Sequence, residues 1–490
     1  MDMRPFEPQA ELSENVRTRF FIDGKWQAPL GSERLDLISP VTEELTLSVP
    51  AGSDADMDAA VTVARRVFDQ TDWPHLPPSD RARYLLKIAD EVDKRVELFE
   101  RVWITQVGAP RWFAHLITGM TSHIIRYFAG LAETFPFEER RPVAHGALKM
   151  LREPIGVAAL VVPWNSPLVL LAQKMAPAIV SGCTIVAKPS PETPLDALLL
   201  AECAEAAGLP PGVFNVVPAG RETGNTLISD PRVDKVSFTG STAAGRHIGA
   251  VCADRMARIN LELGGKSASI LCEDADIDSW MKSLAPFTMP FSGQICFSQT
   301  RILVPRSRHD EFIDAYTANV EGLKVGDPWD ADTAMGPVSM ARQRDRVLDY
   351  IEIGRQEGAR VVTGGGKMPG FNRGYYIAPT IFDGVTNDMR IAQEEIFGPV
   401  ASVISYDNDE EAIAIANDSD YGLSGSVFSE DADRAQGIAR RIRTGHIAVN
   451  SFAVDIVAPF GGYKKSGVGR EAGPEGLASF LETKSMFIPA

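Results

Sequence analysis

From Pro154 onward the chain falls into a regular alternation that leaves few folds open to it. Strand-length apolar runs at 155–162, 184–188, 213–217, 235–238 and 258–263 are separated by helical patterns at 168–180, 194–207, 222–228 and 242–253. Strands and helices of these lengths in strict succession imply a parallel sheet with right-handed crossovers. This predicts an α/β chain with a doubly wound, Rossmann-like dinucleotide fold at its centre. Ahead of it lie short strands at 19–22 and 35–38 and helices at 55–68 and 79–105, the latter with Ser79 and Asp80 offering an N-cap. The stretch 140–153 reads as an extended arm or hairpin. A second strand-and-helix series covers 267–460, with strands at 301–304 and 400–406 and helices at 308–320 and 341–357. Glycine-rich loops fall at 364–366 and 461–469, and 477–488 reads as a short helix followed by a strand.

At 490 residues the chain exceeds one ordinary core, so two or three domains are expected. A net charge of -16 argues against nucleic acid and against an anionic membrane surface. Its longest apolar runs are strand-length, far short of a bilayer span, and the opening residues lack the apolar core of a signal peptide. Five scattered cysteines with no C-x-x-C, and seven histidines without ligand spacing, point to a cytoplasmic, metal-free protein.

Cys296 sits in Phe291-Ser-Gly-Gln-Ile-Cys296-Phe-Ser, a small polar turn before an apolar run. Such a thiol is a nucleophile candidate whose pKa nearby N–H groups or cations would lower; the plainer reading is a small core residue. Glu262, between Leu261 and Leu263 and followed by Gly264-Gly265-Lys266-Ser267, is a candidate base, or else a salt-bridged strand-edge carboxylate. Phe238-Thr239-Gly240-Ser241 through Gly245 follows a strand and opens a helix, which suits a pyrophosphate, although tight turns need glycine anyway. Asn165, in Pro163-Trp164-Asn165-Ser166-Pro167, is an oxyanion donor or a helix cap. Lys188 ends the second strand, facing a nucleotide or solvent. Glu395 and Phe397, two apart before a strand, contact a ribose and a flat ring or merely shape a loop.

With these segments in this order, the chain resembles the NAD(P)-dependent aldehyde dehydrogenase superfamily over essentially its whole length. LELGGKS, GQIC with Arg301 five residues on, PWN, FTGSTAAG, EEIFGPV and PFGGYKKSG carry the resemblance. It implies a dinucleotide-binding domain (1–131 and 155–264), a catalytic domain (265–464) and a small β bridging and oligomerisation arm (132–154 and 465–490), in a homodimer or homotetramer. It implies that Cys296 attacks the aldehyde, that Asn165 and the Cys296 N–H hold the thiohemiacetal oxyanion, and that hydride passes to the nicotinamide. Glu262 then activates water against the thioester, with Lys174 and Glu471 relaying its proton. Each oxyanion donor is worth about 3 kcal/mol in comparable sites. Lys188 should hold the adenosine ribose, Ser241 the pyrophosphate, and Glu395 and Phe397 the nicotinamide ribose and ring, with Trp164 walling the pocket. Val162, Pro163, Ser190, Pro191, Gly220, Gly224, Phe238, Thr239, Gly240, Gly245, Leu263 and Gly264 complete the expected cofactor lining.

One departure stands out. Many NAD-preferring members carry a glutamate three residues after this lysine, where it repels a 2′-phosphate; here that position is Pro191 and the nearest acid is Glu192. NAD is favoured and NADP admitted, since no arginine or second lysine stands beside Lys188 in the sequence. Leu170, Gln173, Pro290, Phe297, Phe452, Val454 and Phe460 match substrate-channel positions. Mostly apolar, they point to an uncharged aliphatic or aromatic aldehyde as the small-molecule partner. The rivals are a CoA-acylating semialdehyde dehydrogenase, against which Glu262 counts, an esterase, and a non-catalytic protein that has kept the fold.

Overall fold

The computed structural model describes residues 6–489; the opening residues read as lacking a leader lie partly outside this range. The alternation forms the expected parallel sheet. In spatial order its strands are Arg258–Glu262, Lys235–Thr239, Val157–Val161, Thr184–Lys188 and Phe214–Val216. In the two central strands, Val157–Val161 and Thr184–Lys188, alternate residues enter different cores, as a pleat with period two requires. Ala158, Leu160, Ile185 and Ala187 pack under the helices Pro167–Ser181 and Leu195–Ala206. Val157, Ala159, Val161 and Val186 face Met57, Ala60 and Val61 of the helix Asp54–Gln70. The strand order turns back at Val157–Val161, so its carboxyl end and that of Lys235–Thr239 open a crevice, the usual ligand position in such sheets. Antiparallel strands close the edges: Phe20–Ile22 with Lys25–Gln27 on one side, Gly467–Val468 on the other.

A second, seven-stranded sheet runs in the order Arg360–Thr363, Thr380–Asp383, Val400–Tyr406, Arg301–Pro305, Ala268–Leu271, Gly425–Phe428, Ala448–Val449, and only the first of these is antiparallel to its neighbour. Glu138–Arg141, Ala147–Pro154 and Leu481–Ile488 form a third, antiparallel sheet, with the 140–153 stretch as its hairpin.

Two expectations need correction. The helix read at 79–105 is two, Pro78–Asp93 and Val96–Val107, broken at Lys94 and Arg95. Its start is not capped by Ser79 or Asp80: the N-cap is Pro77, with no side-chain bond, and Pro78 takes the first helical position, where a missing N–H costs nothing. A 24-residue helix, Arg111–Thr134, also escaped the sequence reading.

Candidate active site

Cys296 is presented by a backbone turn under strain. Phe291, Ser292 and Gly293 have φ of 49°, 56° and 72°, a left-handed run that costs the two side-chain-bearing residues on the order of 1–3 kcal/mol each. The surroundings hold it there. Phe291 stacks on Phe113 and packs against Trp103, Ser292 Oγ donates to the Gly336 carbonyl (2.7 Å), and Gln294 Oε1 accepts from the Ser339 N–H (2.9 Å). Gly293 is required, since a Cβ there would lie 2.0 Å from the Gly398 carbonyl oxygen. Asn165 Nδ2 donates to the Gln294 carbonyl (2.9 Å), and the Asn165 carbonyl accepts from Trp103 Nε1 (2.9 Å). The asparagine is therefore clamped onto the cysteine loop with one amide hydrogen left over, and Ser166 rather than Asn165 takes the N-cap position of the following helix, without a side-chain bond.

Cys296 is half-buried, whereas the other four cysteines are fully buried, in line with their expected packing role. The expected lowering of its pKa is not found. Burial pushes the thiol up, the Glu395 and Glu262 carboxylates push it further, and only the backbone N–H groups of Phe297 and Cys296 oppose them.

Glu262 ends its strand with its flanking leucines turned into the neighbouring core, as the pleat predicts. It is 3% exposed and neither carboxylate oxygen has a hydrogen-bond partner. Burial and the nearby Glu471 carboxylate raise its pKa well above the usual range, against the pull of Lys174 and Arg470. Behind it, Lys174 and Glu471 form a buried ion pair, and Ser237 Oγ (3.3 Å) and Asn260 Nδ2 (3.4 Å) also donate to that carboxylate. Gly265 lets the two segments meet: a Cβ would fall 2.4 Å from the Cys296 carbonyl oxygen.

Along the crevice, the predicted cofactor residues sit at the carboxyl ends of the parallel strands. Ser241 caps the helix Thr242–Asp254, its Oγ accepting from the Ala244 N–H (3.3 Å), which leaves its hydroxyl hydrogen and the N–H groups of Thr242 and Ala243 for an anion. Thr239 Oγ1 is buried without a protein partner. Lys188 Nζ donates to the Pro189 and Ala219 carbonyls (2.9 Å each), packs over Gly224, and is lowered to about 8 by burial. At the other end, Glu395 Oε1 accepts from the Gly265 N–H (3.0 Å), and burial raises it to about 7. Phe397, with φ of 61°, meets Trp164 edge-on at 5.5 Å. Gly240 N–H is spent on the Glu262 carbonyl (3.0 Å), Leu263 covers Gly245, and Gly220 borders open space. The free hydroxyls, helix terminus and lysine fit a dinucleotide.

A cleft of about 280 Å³ leads to Cys296 and Asn165. All six of Leu170, Gln173, Phe297, Phe452, Val454 and Phe460 line it, whereas Pro290 does not. The sequence reading missed its opposite wall, Phe113, Leu116, Ile117, Met120 and Ile124 of Arg111–Thr134, which a count of apolar residues at helical spacing would have found. It also missed Arg342, remote in sequence, whose Nη2 lies 2.5 Å from the carboxylate of Glu192, four residues after Lys188.

The model of the aldehyde dehydrogenase family matches residues 26–486. The chain is 46% identical to a geranial dehydrogenase of Castellaniella defragrans, over 96% of this chain and 98% of that one. It superposes on a Mycobacterium tuberculosis aldehyde dehydrogenase complexed with NAD+ with a TM-score of 0.94, 45% identity and coverage of 96% and 98%. Aldehyde dehydrogenase C of Pseudomonas syringae, a mutant solved with NAD+ and octanal, aligns at 0.93, with 39% identity and coverage of 97% and 98%. The chain therefore belongs to the aldehyde dehydrogenase family. It is an NAD(P)-dependent oxidoreductase that converts an aldehyde to its carboxylic acid. Among the described residues, no helix is long and apolar enough to cross a membrane, and no cluster of side chains could hold a metal ion.

Proposed function

We propose that Cys296 is the nucleophile, Asn165 and the Cys296 N–H the oxyanion donors, and Glu262 the base, acting on an uncharged apolar aldehyde. One observation carries this reading: the Glu262 carboxylate is buried, unpartnered and close enough to the Cys296 thiol to perturb it. The Cys296 thiol gives its proton to water in the cleft, and the sulfur bonds to the carbonyl carbon as the carbonyl π electrons move onto oxygen. The oxyanion that forms accepts a hydrogen bond from the spare Asn165 amide N–H, worth about 3 kcal/mol in comparable sites. When bound, NAD(P) supplies the acceptor for one hydride. Glu262 then removes a proton from water, the water oxygen bonds to the thioester carbon, and the Cys296 thiolate leaves. The buried Lys174–Glu471 pair, whose charges act on Glu262, would take that proton on.

The cofactor would be held by Lys188 and the neighbouring Ser190 and Pro191 at the adenosine ribose, with Gly220 and Gly224 beside them. Val162, Pro163, Trp164, Phe238, Thr239, Gly240, Ser241 and Gly245 would line the middle, and Leu263, Gly264, Glu395 and Phe397 the nicotinamide end. NAD is favoured because several similar structures were solved with NAD+. The apolar cleft, and the geranial and octanal in the names of relatives, support the substrate class. Residues 1–131 and 155–264 would form the cofactor domain and 265–464 the catalytic domain. The third sheet, from 132–154 and 465–490, would join subunits of a cytoplasmic homodimer or homotetramer. Glu262→Gln should give a burst of one NADH per active subunit and then near-stalled turnover; steady-state turnover at the wild-type rate would overturn the assignment of the base.

A further inference from the structure

The loop after Thr184–Lys188 is crossed by an ion pair that no single segment reveals. Glu192 Oε1 lies 2.5 Å from Arg342 Nη2, and Ser190 Oγ donates to the other carboxylate oxygen. Arg342 belongs to the first turn of Ala341–Gln356, a helix that also grips the far end of the crevice. Gln343 Nε2 donates to the Phe397 carbonyl (2.7 Å) and Arg346 Nη2 to that of Glu395 (2.5 Å). The N-terminal part of this helix thus holds the loop assigned to the nicotinamide end and reaches the loop assigned to the adenosine end. Its first turn, 341–344, contains no acidic residue and carries Arg342 and Arg344 where the helix dipole disfavours cations. Asp345, the next residue, pairs with Arg344, whereas Arg342 reaches across to Glu192. Among the described residues the carboxylate ion-paired to Arg342 is that of Glu192, the acid left beside the ribose position once Pro191 has taken the place of the usual glutamate.

We propose that the Glu192–Arg342 pair sets the choice between NAD and NADP. The inference rests on the reading of Lys188 and its loop as the adenosine-ribose site. Glu192, held by Ser190 and Arg342, supplies the negative charge that Pro191 cannot, and opposes a 2′-phosphate. Arg342 is the latent phosphate ligand: its guanidinium presents a fork of N–H donors that suits phosphate as well as carboxylate, and in this structure the carboxylate occupies it. Selectivity is then the difference between two occupants of one arginine, and removing either partner shifts it in opposite directions.

The test is the dissociation constants of NAD and NADP, measured by titration calorimetry on the full chain without aldehyde. Glu192→Gln frees Arg342 and should tighten NADP about tenfold or more while NAD changes less than about threefold. Arg342→Gln should weaken NADP by a similar factor, and the double variant should lose the gain of Glu192→Gln. That gain should also shrink as salt is raised. An unchanged ratio of the two constants in Glu192→Gln, or a gain that survives in the double variant, overturns the proposal. Lys188→Met separates this failure from that of the underlying reading. If Lys188→Met weakens both cofactors while the ratio ignores Glu192 and Arg342, only the pair is wrong. If Lys188→Met leaves both constants unchanged, the ribose-site assignment itself is wrong. Thermal denaturation of each variant without cofactor reports whether the fold is intact.

Discussion

Two opposed titrations meet at the level of single residues. The Cys296 thiol is kept protonated by burial, Glu395 and Glu262, so its thiolate fraction grows as pH rises. Lys188 behaves the other way: burial brings it to about 8, so the ammonium expected at the ribose is lost as pH passes that value. Turnover at saturating NAD should therefore climb from neutrality into the alkaline range, while KM for NAD rises above about pH 8. Initial rates across pH check both arms, and a KM that stays flat through pH 8 would remove Lys188 from the ribose. Cys296, Glu262 and Asn165 were legible in the sequence because each sits in a segment of unusual residues. The sign of the Cys296 shift was not, because it depends on carboxylates from two distant segments. Arg342 was hidden for the same reason: nothing local to either residue announces its contact with Glu192.

Among the elements, the parallel strands were readable because residues buried on both faces give continuous apolar runs, as in Val157–Val161 and Thr184–Lys188. The division of 79–105 was not, because Lys94 and Arg95 suit a helix interior as well as a break. Arg111–Thr134 was overlooked although Phe113, Leu116, Ile117, Met120 and Ile124 mark one face of it. That face sets the width of the aldehyde cleft. Ile117→Phe should raise KM about tenfold for a long or branched apolar aldehyde, since steric misfit in an apolar pocket is worth on the order of 1–3 kcal/mol. A two-carbon aldehyde should change less than about threefold. Steady-state kinetics over a chain-length series decides, and equal loss across the series would mean the helix acts on folding rather than on fit.

For the molecule as a whole, the third sheet is the least self-sufficient part. Leu481–Ile488 pairs along one side only, and Met486, Phe487 and Ile488 are 38%, 60% and 40% exposed. An open strand edge with apolar side chains invites pairing with another copy. If the proposed homodimer or homotetramer forms through this edge, Phe487→Asp should convert it to monomers in light scattering coupled to size exclusion, since burying one such ring contributes about 1.5–3 kcal/mol per copy. An unchanged mass would place the contact elsewhere. The protonated Cys296 also matters beyond the reaction cycle. Peroxide and alkylating agents attack the thiolate form of cysteine. The same burial that raises the Cys296 pKa should therefore slow its alkylation by iodoacetamide in the cofactor-free chain, with a rate that climbs as pH rises.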